Sequence, residues 1–158
     1  MRLRPMIAFV CLAILRPHPA AGQASGSALM TGTVLTAITI TGSDLSFGNV
    51  MPSDSKHVAA PLGGRFVVTM AAATPVTIAY ALPLSLGPQV TLSAWELLSN
   101  SVNDGATALA IPIVAPGGSF TASTPTGSLY LWVGATVTTT NAGVGSYSQP
   151  ITLTVTYN

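Results

Sequence analysis

The sequence predicts an all-β protein, an antiparallel β-sandwich of short strands. Three observations carry this prediction. Apolar residues recur at every second position in run after run, which gives a strand one buried and one polar face. Clusters of Gly, Pro, Asn and Asp separate the runs at short intervals. No stretch repeats its apolar residues at the spacing of a long amphipathic helix. A closed barrel is the main alternative.

The elements follow in order. "AITIT" alternates Ile38 and Ile40. "RFVVTM" sets Phe66, Val68 and Met70 on one face, and "PVTIAYAL" does the same with Val76, Ile78, Tyr80 and Leu82. "QVTLSAW" offers Val90 and Leu92, and the overlapping "SAWELLSNS" is compatible with one helical turn. "ALAIPIV" is apolar, but Pro112 lacks an N–H and limits it to a bent or edge strand. "SLYLWVGATVT" puts Leu129, Leu131, Val133 and Val137 on one side, with Tyr130 and Trp132 opposite. The final run alternates from Tyr147 onward. Tyr147, Ile151, Leu153, Val155 and Tyr157 share one face, and Thr152, Thr154 and Thr156 share the other. Pro150 places part of this run at an edge or a bulge. Turns are assigned to "MPSDSK", "PLGG", "LGP", "NDG", "PGGS", "TPTG" and "NAGVG", with Asn103-Asp104-Gly105 as the best hairpin. Roughly seven strands at this spacing favour a sandwich.

The first residues lie outside this pattern. "MRLRPMIAFVCLAILRPHPAAGQA" has Arg2 and Arg4, an apolar run from Met6 to Leu15, and small residues before Ala24. This is the form of a secretory signal peptide, residues 1–24, with cleavage after Gly22 or Ala24. Cys11 reads as one apolar residue of that signal, because Val10 is not the small residue a lipoprotein site requires. Residues 25–36 then form an N-terminal extension and residues 37–158 one β-sandwich domain. From residue 25 onward there is no cysteine, which excludes a disulfide and cysteine-based metal or redox chemistry. Lys56 and Arg65 stand against Asp44, Asp54, Glu96 and Asp104, two cations against four carboxylates, for a net charge of −2. No basic patch is available for nucleic acid, and no segment after residue 24 is long and apolar enough to span a membrane as a helix. Charged residues make up 6% of the chain, so Thr, Ser, Asn and Gln must supply most of the polar surface.

Candidate chemistry is sparse. His57 is the sole imidazole after the signal and lies near Asp54 and Lys56 in "PSDSKHV", expected to be a solvated loop. A metal or catalytic role for it would need partners from elsewhere. No nucleophile elbow, P-loop, dinucleotide fingerprint or calcium loop is present. The sequence therefore names no catalytic, cofactor-binding or metal-binding residue, and the expectation is a protein that is not an enzyme. Tyr130 and Trp132 share a strand face. Packing in a core or interface is the first reading for them, and stacking on a glycan, with Trp95 as a third aromatic, is the second.

Two stretches resemble a known family. "DLSFGNVMP" resembles an L-x-F-G-x-[IV] signature. "LYLWVGATVTTTNAGVGSYSQPITLTVTYN" resembles the family's C-terminal half: a strand with Val-Gly, a turn, G-x-Y and a final alternating strand. The family is a bacterial group of secreted domains of unknown function with fimbrial, pilin-like subunits, similar to spore-coat-U-type pilins of chaperone–usher systems. The likeness covers residues 38–50 and 129–158; between them only spacing and composition match. The resemblance implies an immunoglobulin-like sandwich that lacks its last strand. A periplasmic chaperone lends a strand, and the N-terminal extension of another subunit then replaces it. On this reading the acceptor face is Tyr147, Ile151, Leu153, Val155 and Tyr157. The donor is "SGSALMTGTVLT", with Ala28, Met30, Gly32 and Val34 on one side. Partners would be copies of the chain or related subunits, a chaperone and an outer-membrane usher. The destination would be a surface fimbrium reached through the periplasm, with a role in adhesion and no cofactor. The alternative is a monomeric secreted β-sandwich that binds glycans through Tyr130 and Trp132.

Overall fold

The computed structural model describes residues 31–113 and 116–158. Ala28 and Met30, two of the expected donor residues, lie outside them. Contacts divide the chain at residue 33, and the β domain lies within Val34–Asn158. It is all-β, with two antiparallel sheets in a sandwich.

The strands are β1 (Thr39–Ser43), β2 (Ser55–Val58), β3 (Gly64–Thr69), β4 (Val76–Ala81), β5 (Ser85–Gly87), β6 (Val90–Asn100), β7 (Leu109–Ala110), β8 (Gly117–Ala122), β9 (Ser128–Thr139) and β10 (Thr152–Tyr157). A 3₁₀ turn, Ala60–Leu62, joins β2 to β3. In the larger sheet β9 and β6 are long central partners. The other edge of β9 is shared: β3 pairs with residues 128–133 and β2 with residues 135–138. The other edge of β6 is shared likewise, by β5 at Val90 and Thr91 and by β7 at Leu98 and Ser99. β1 extends the sheet beyond β3. The smaller sheet has the order β10-β4-β8.

Period-two patterning explains the core. Leu129, Leu131 and Val133 of β9 are buried with Val68 of β3 and Leu97 of β6, facing Val76, Ile78 and Tyr80 of β4. Ile78, opposite both Val155 and Phe120, has no exposed surface. The smaller sheet covers only the lower half of the larger one. Over the upper half a second cluster forms: Val90, Leu92 and Val137 are buried, with Phe47, Val50, Leu86, Ala142 and Tyr147 packed on them. Trp95 touches both clusters.

Several expectations are corrected. "SAWELLSNS" is strand, not helix: the register slips between Ser93 and Glu96, and Ala94 takes φ 46°. One extra residue there makes a bulge that switches which side chains point inward, from Val90 and Leu92 to Leu97. "PGGS" is not a turn, because both glycines open β8. His57 lies in β2, not in a loop. "ALAIPIV" keeps only Leu109 and Ala110 as strand, and Pro112 lies beyond it. The hairpin at Asn103-Asp104-Gly105 is real but longer, spanning residues 101–108 between β6 and β7. Asp104 organises it by accepting from the Ala106 N–H and the Thr107 hydroxyl, both at 2.9 Å. The final strand starts at Thr152, not Tyr147. Pro150 has no N–H to donate to a ladder, and Tyr147 turns into the upper cluster, where its hydroxyl bonds Gly143 O at 2.7 Å.

Candidate functional site

Three places bring candidate chemistry together: an open edge, a cleft and a surface cluster of polar side chains.

The open edge is β10. Leu153, Val155 and Tyr157 point inward while Thr152, Thr154 and Thr156 are exposed, as the alternation predicts. The inward three are only half-buried, although they pack on the same core as the fully buried β4 residues opposite them. The reason is topological. Among the described residues no strand pairs with the outer edge of β10. The two long flanks of the sandwich differ. On the β7–β8 flank, Ile111 and Ile113 of the crossover pack against the core, and Ile111 N–H bonds Leu97 O at 2.8 Å. On the β1–β10 flank, Ile38, Phe66 and Ile151 are partly exposed, and Ile40, on the same face as buried Val68, is 39% exposed. These residues line an apolar groove between the outer edges of β1 and β10, with which no strand pairs among the described residues.

The groove has a polarity. At one end Tyr157 fixes the start of the domain: its hydroxyl donates to Thr36 O at 2.6 Å and accepts from Ala71 N–H at 2.7 Å. The extension therefore leaves at the end where β10 finishes. At the other end, where β10 begins, the groove meets the cleft. Of the expected donor residues that are described, Gly32 is exposed and Val34 is 97% exposed.

The cleft has a volume of about 1060 Å³ and lies over the upper half of the larger sheet. Its floor includes Leu92, Trp95 and Val137. Its walls are two segments, residues 42–50 and 142–151, carrying Phe47 and Tyr147. Ser53 and Asn141 tie the bases of the two segments, with the Ser53 hydroxyl donating to Asn141 Oδ1 at 3.2 Å. Both stretches that carry the family resemblance thus contribute walls to one cleft.

The polar cluster is on the outer face of the larger sheet. His57 Nδ1 is 3.0 Å from Thr136 Oγ1, and His57 Nε2 is 3.5 Å from Glu96 Oε1. The other Glu96 oxygen accepts from Ala60 N–H at 2.9 Å, capping the 3₁₀ turn. Carboxylate, imidazole and hydroxyl in a row resemble a hydrolytic triad in identity alone. The His57 and Glu96 side chains are 46% and 42% exposed, and Thr136 sits within β9 with β2 and β6 on its two sides. The cluster therefore lies on an open sheet face within a paired ladder. Its geometric role is to link β2 to β6 across Gly134. Among the described residues no group of three or more His, Cys, Asp or Glu is placed to hold a metal ion, and no helix is long and apolar enough to cross a membrane.

Tyr130 and Trp132 do share a face, with ring centroids 6.1 Å apart and planes 28° apart. Trp132, however, is only 5% exposed. The 101–108 loop covers it: Gly105 lies against the indole, and Arg65 anchors the loop through Asn103 Oδ1 at 2.9 Å. A covered indole offers no face to an external sugar, and Tyr130 is only half-exposed.

No protein-family model, no curated protein and no solved structure matches this chain.

Proposed function

We propose that this chain is a structural subunit of a bacterial surface fibre of the fimbrial type, joined to its neighbours by β-strand complementation. One observation carries the reading: among the described residues no strand pairs with the outer edge of β10, and its inward side chains are half-buried where a completed sandwich would bury them. A strand laid along β10 supplies partners for the edge N–H and C=O groups and covers Leu153, Val155 and Tyr157. Left open, such an edge is a template for uncontrolled association.

The polarity of the groove supports a linear assembly. The extension leaves one end of the domain at Thr36, and the groove opens toward the cleft at the other. In a head-to-tail fibre the extension of one copy then runs antiparallel to β10 of the next. Ala28, Met30, Gly32 and Val34 alternate over a span comparable to the six residues of β10. The partners are other copies or related subunits. By the resemblance, a periplasmic chaperone and an outer-membrane usher deliver the subunit through the periplasm to the cell surface. The subunit has no catalytic role in this reading.

The experiment is deletion. Residues 25–158 are expected to form linear multimers or to aggregate when expressed alone. Residues 37–158 keep the acceptor and lose the donor, so they should bind a synthetic "SGSALMTGTVLT" peptide. Gly32→Asp or Val34→Asp in that peptide should abolish binding, since each forces a charge against an apolar groove. Fusing the donor sequence after Asn158 through a flexible linker should give a stable monomer. If residues 37–158 are monomeric, fully stable and indifferent to the peptide, the sandwich is complete and the fibre reading fails.

A further inference from the structure

We propose that the cleft over the upper half of the larger sheet binds a short neutral saccharide. This site is separate from the Tyr130 and Trp132 pair, and it meets the acceptor groove at Phe66 and Ile151. Three features point to that ligand class. The floor and walls present aromatic rings, Trp95, Phe47 and Tyr147, which suit the C–H face of a sugar. The rim carries Asn49, Ser148 and Gln149, whose side chains are exposed and among the described residues bond to no other side chain. Amides and hydroxyls of this kind both donate and accept, as sugar hydroxyls do. Asp44 is the only charged lining residue, and the Lys56 ammonium near Gly48 at the wall sets one cation against it, so the site favours no net charge.

One further observation agrees. The volume of about 1060 Å³ suits a ligand of two or three sugar rings, at the upper end of small-molecule sites. If the chain also polymerises, each subunit would repeat the site along the fibre, and weak single contacts would add through multivalency.

The test is titration of residues 25–158 with maltotriose, cellotriose and triacetylchitotriose, followed by calorimetry and tryptophan emission, with 3′-sialyllactose as the anionic comparison. At least one neutral trisaccharide should bind saturably and change the emission, and sialyllactose should bind less well. Asn49→Ala and Gln149→Ala, both at exposed positions, should each weaken binding by about two- to tenfold with the melting temperature unchanged. The proposal is overturned if no neutral trisaccharide saturates up to its solubility limit. It is overturned equally if sialyllactose is preferred, or if the double variant binds as well as the parent. Residues 37–158, which lack the donor, are titrated alongside, so an effect of assembly on binding is distinguished from a cleft that takes no saccharide.

Discussion

Leu153→Ala probes the open edge directly, with Ile78→Ala as its reference. Both side chains face the same core from neighbouring strands, but Ile78 is fully buried and Leu153 only partly. Truncating a fully buried Leu or Ile to Ala costs about 2–5 kcal/mol, the loss of transfer energy plus that of the cavity. Ile78→Ala should therefore cost about 3–4 kcal/mol. Leu153 is only half-buried, beside an edge of β10 with which no described strand pairs, so less contact is lost and little cavity is made. About 1–2 kcal/mol is expected for Leu153→Ala in residues 37–158 alone. With the donor fused after Asn158 the groove is filled and Leu153 becomes enclosed, so the cost should rise to about 3 kcal/mol. The increase of roughly 1.4 kcal/mol corresponds to about tenfold weaker binding of the free donor peptide. Ile78→Ala should cost the same in both versions. Urea melts of the four variants and a peptide titration give all the numbers. Equal costs for Leu153→Ala with and without the donor would refute the argument, because β10 would then not border the acceptor.

Other positions give independent checks. A Cβ on Gly134 would collide with the backbone of Val58 and Ala60 where the 3₁₀ turn crosses β9, so Gly134→Ala should lower stability by several kcal/mol, about 3 or more, in a thermal melt. Trp132→Ala should cost about 3–5 kcal/mol, as for a buried aromatic, and Tyr130→Ala distinctly less; similar small costs for both would mean the 101–108 loop does not cover Trp132. Glu96→Ala removes the acceptor of the Ala60 N–H and should cost about 1 kcal/mol, whereas Glu96→Gln, which retains an acceptor oxygen, should cost less. Added salt should change that difference little, since the His57–Glu96 contact at 3.5 Å is exposed.

Alternation was legible in the sequence because it is a local property of the strand. Where a run faces one core, the side-chain period of two settles which residues are inward, and Phe66, Val68, Val76, Ile78, Leu129, Leu131, Leu153 and Val155 all lie on the face that the pattern assigned. Strands without that pattern stayed hidden. β8 begins with two glycines and β2 is "SKHV", so both read as turns; pairing with β4 and β9, not propensity, holds them as strands. The bulge at Ala94 was invisible for a related reason: a one-residue slip needs a partner strand to slip against.

The candidate site divides the same way. From its sequence alone this chain was bound to be β-rich, poor in charge and short of groups for catalysis, and its final strand was bound to have one apolar face. Whether that face is covered depends on which strand lies beside β10, and whether Trp132 meets solvent depends on where the 101–108 loop, anchored by Arg65, comes to rest. The cleft likewise joins residues 42–50 to residues 142–151, segments far apart in the chain. Local chemistry determines what each strand can bury, and only the packing of distant strands decides what is left open.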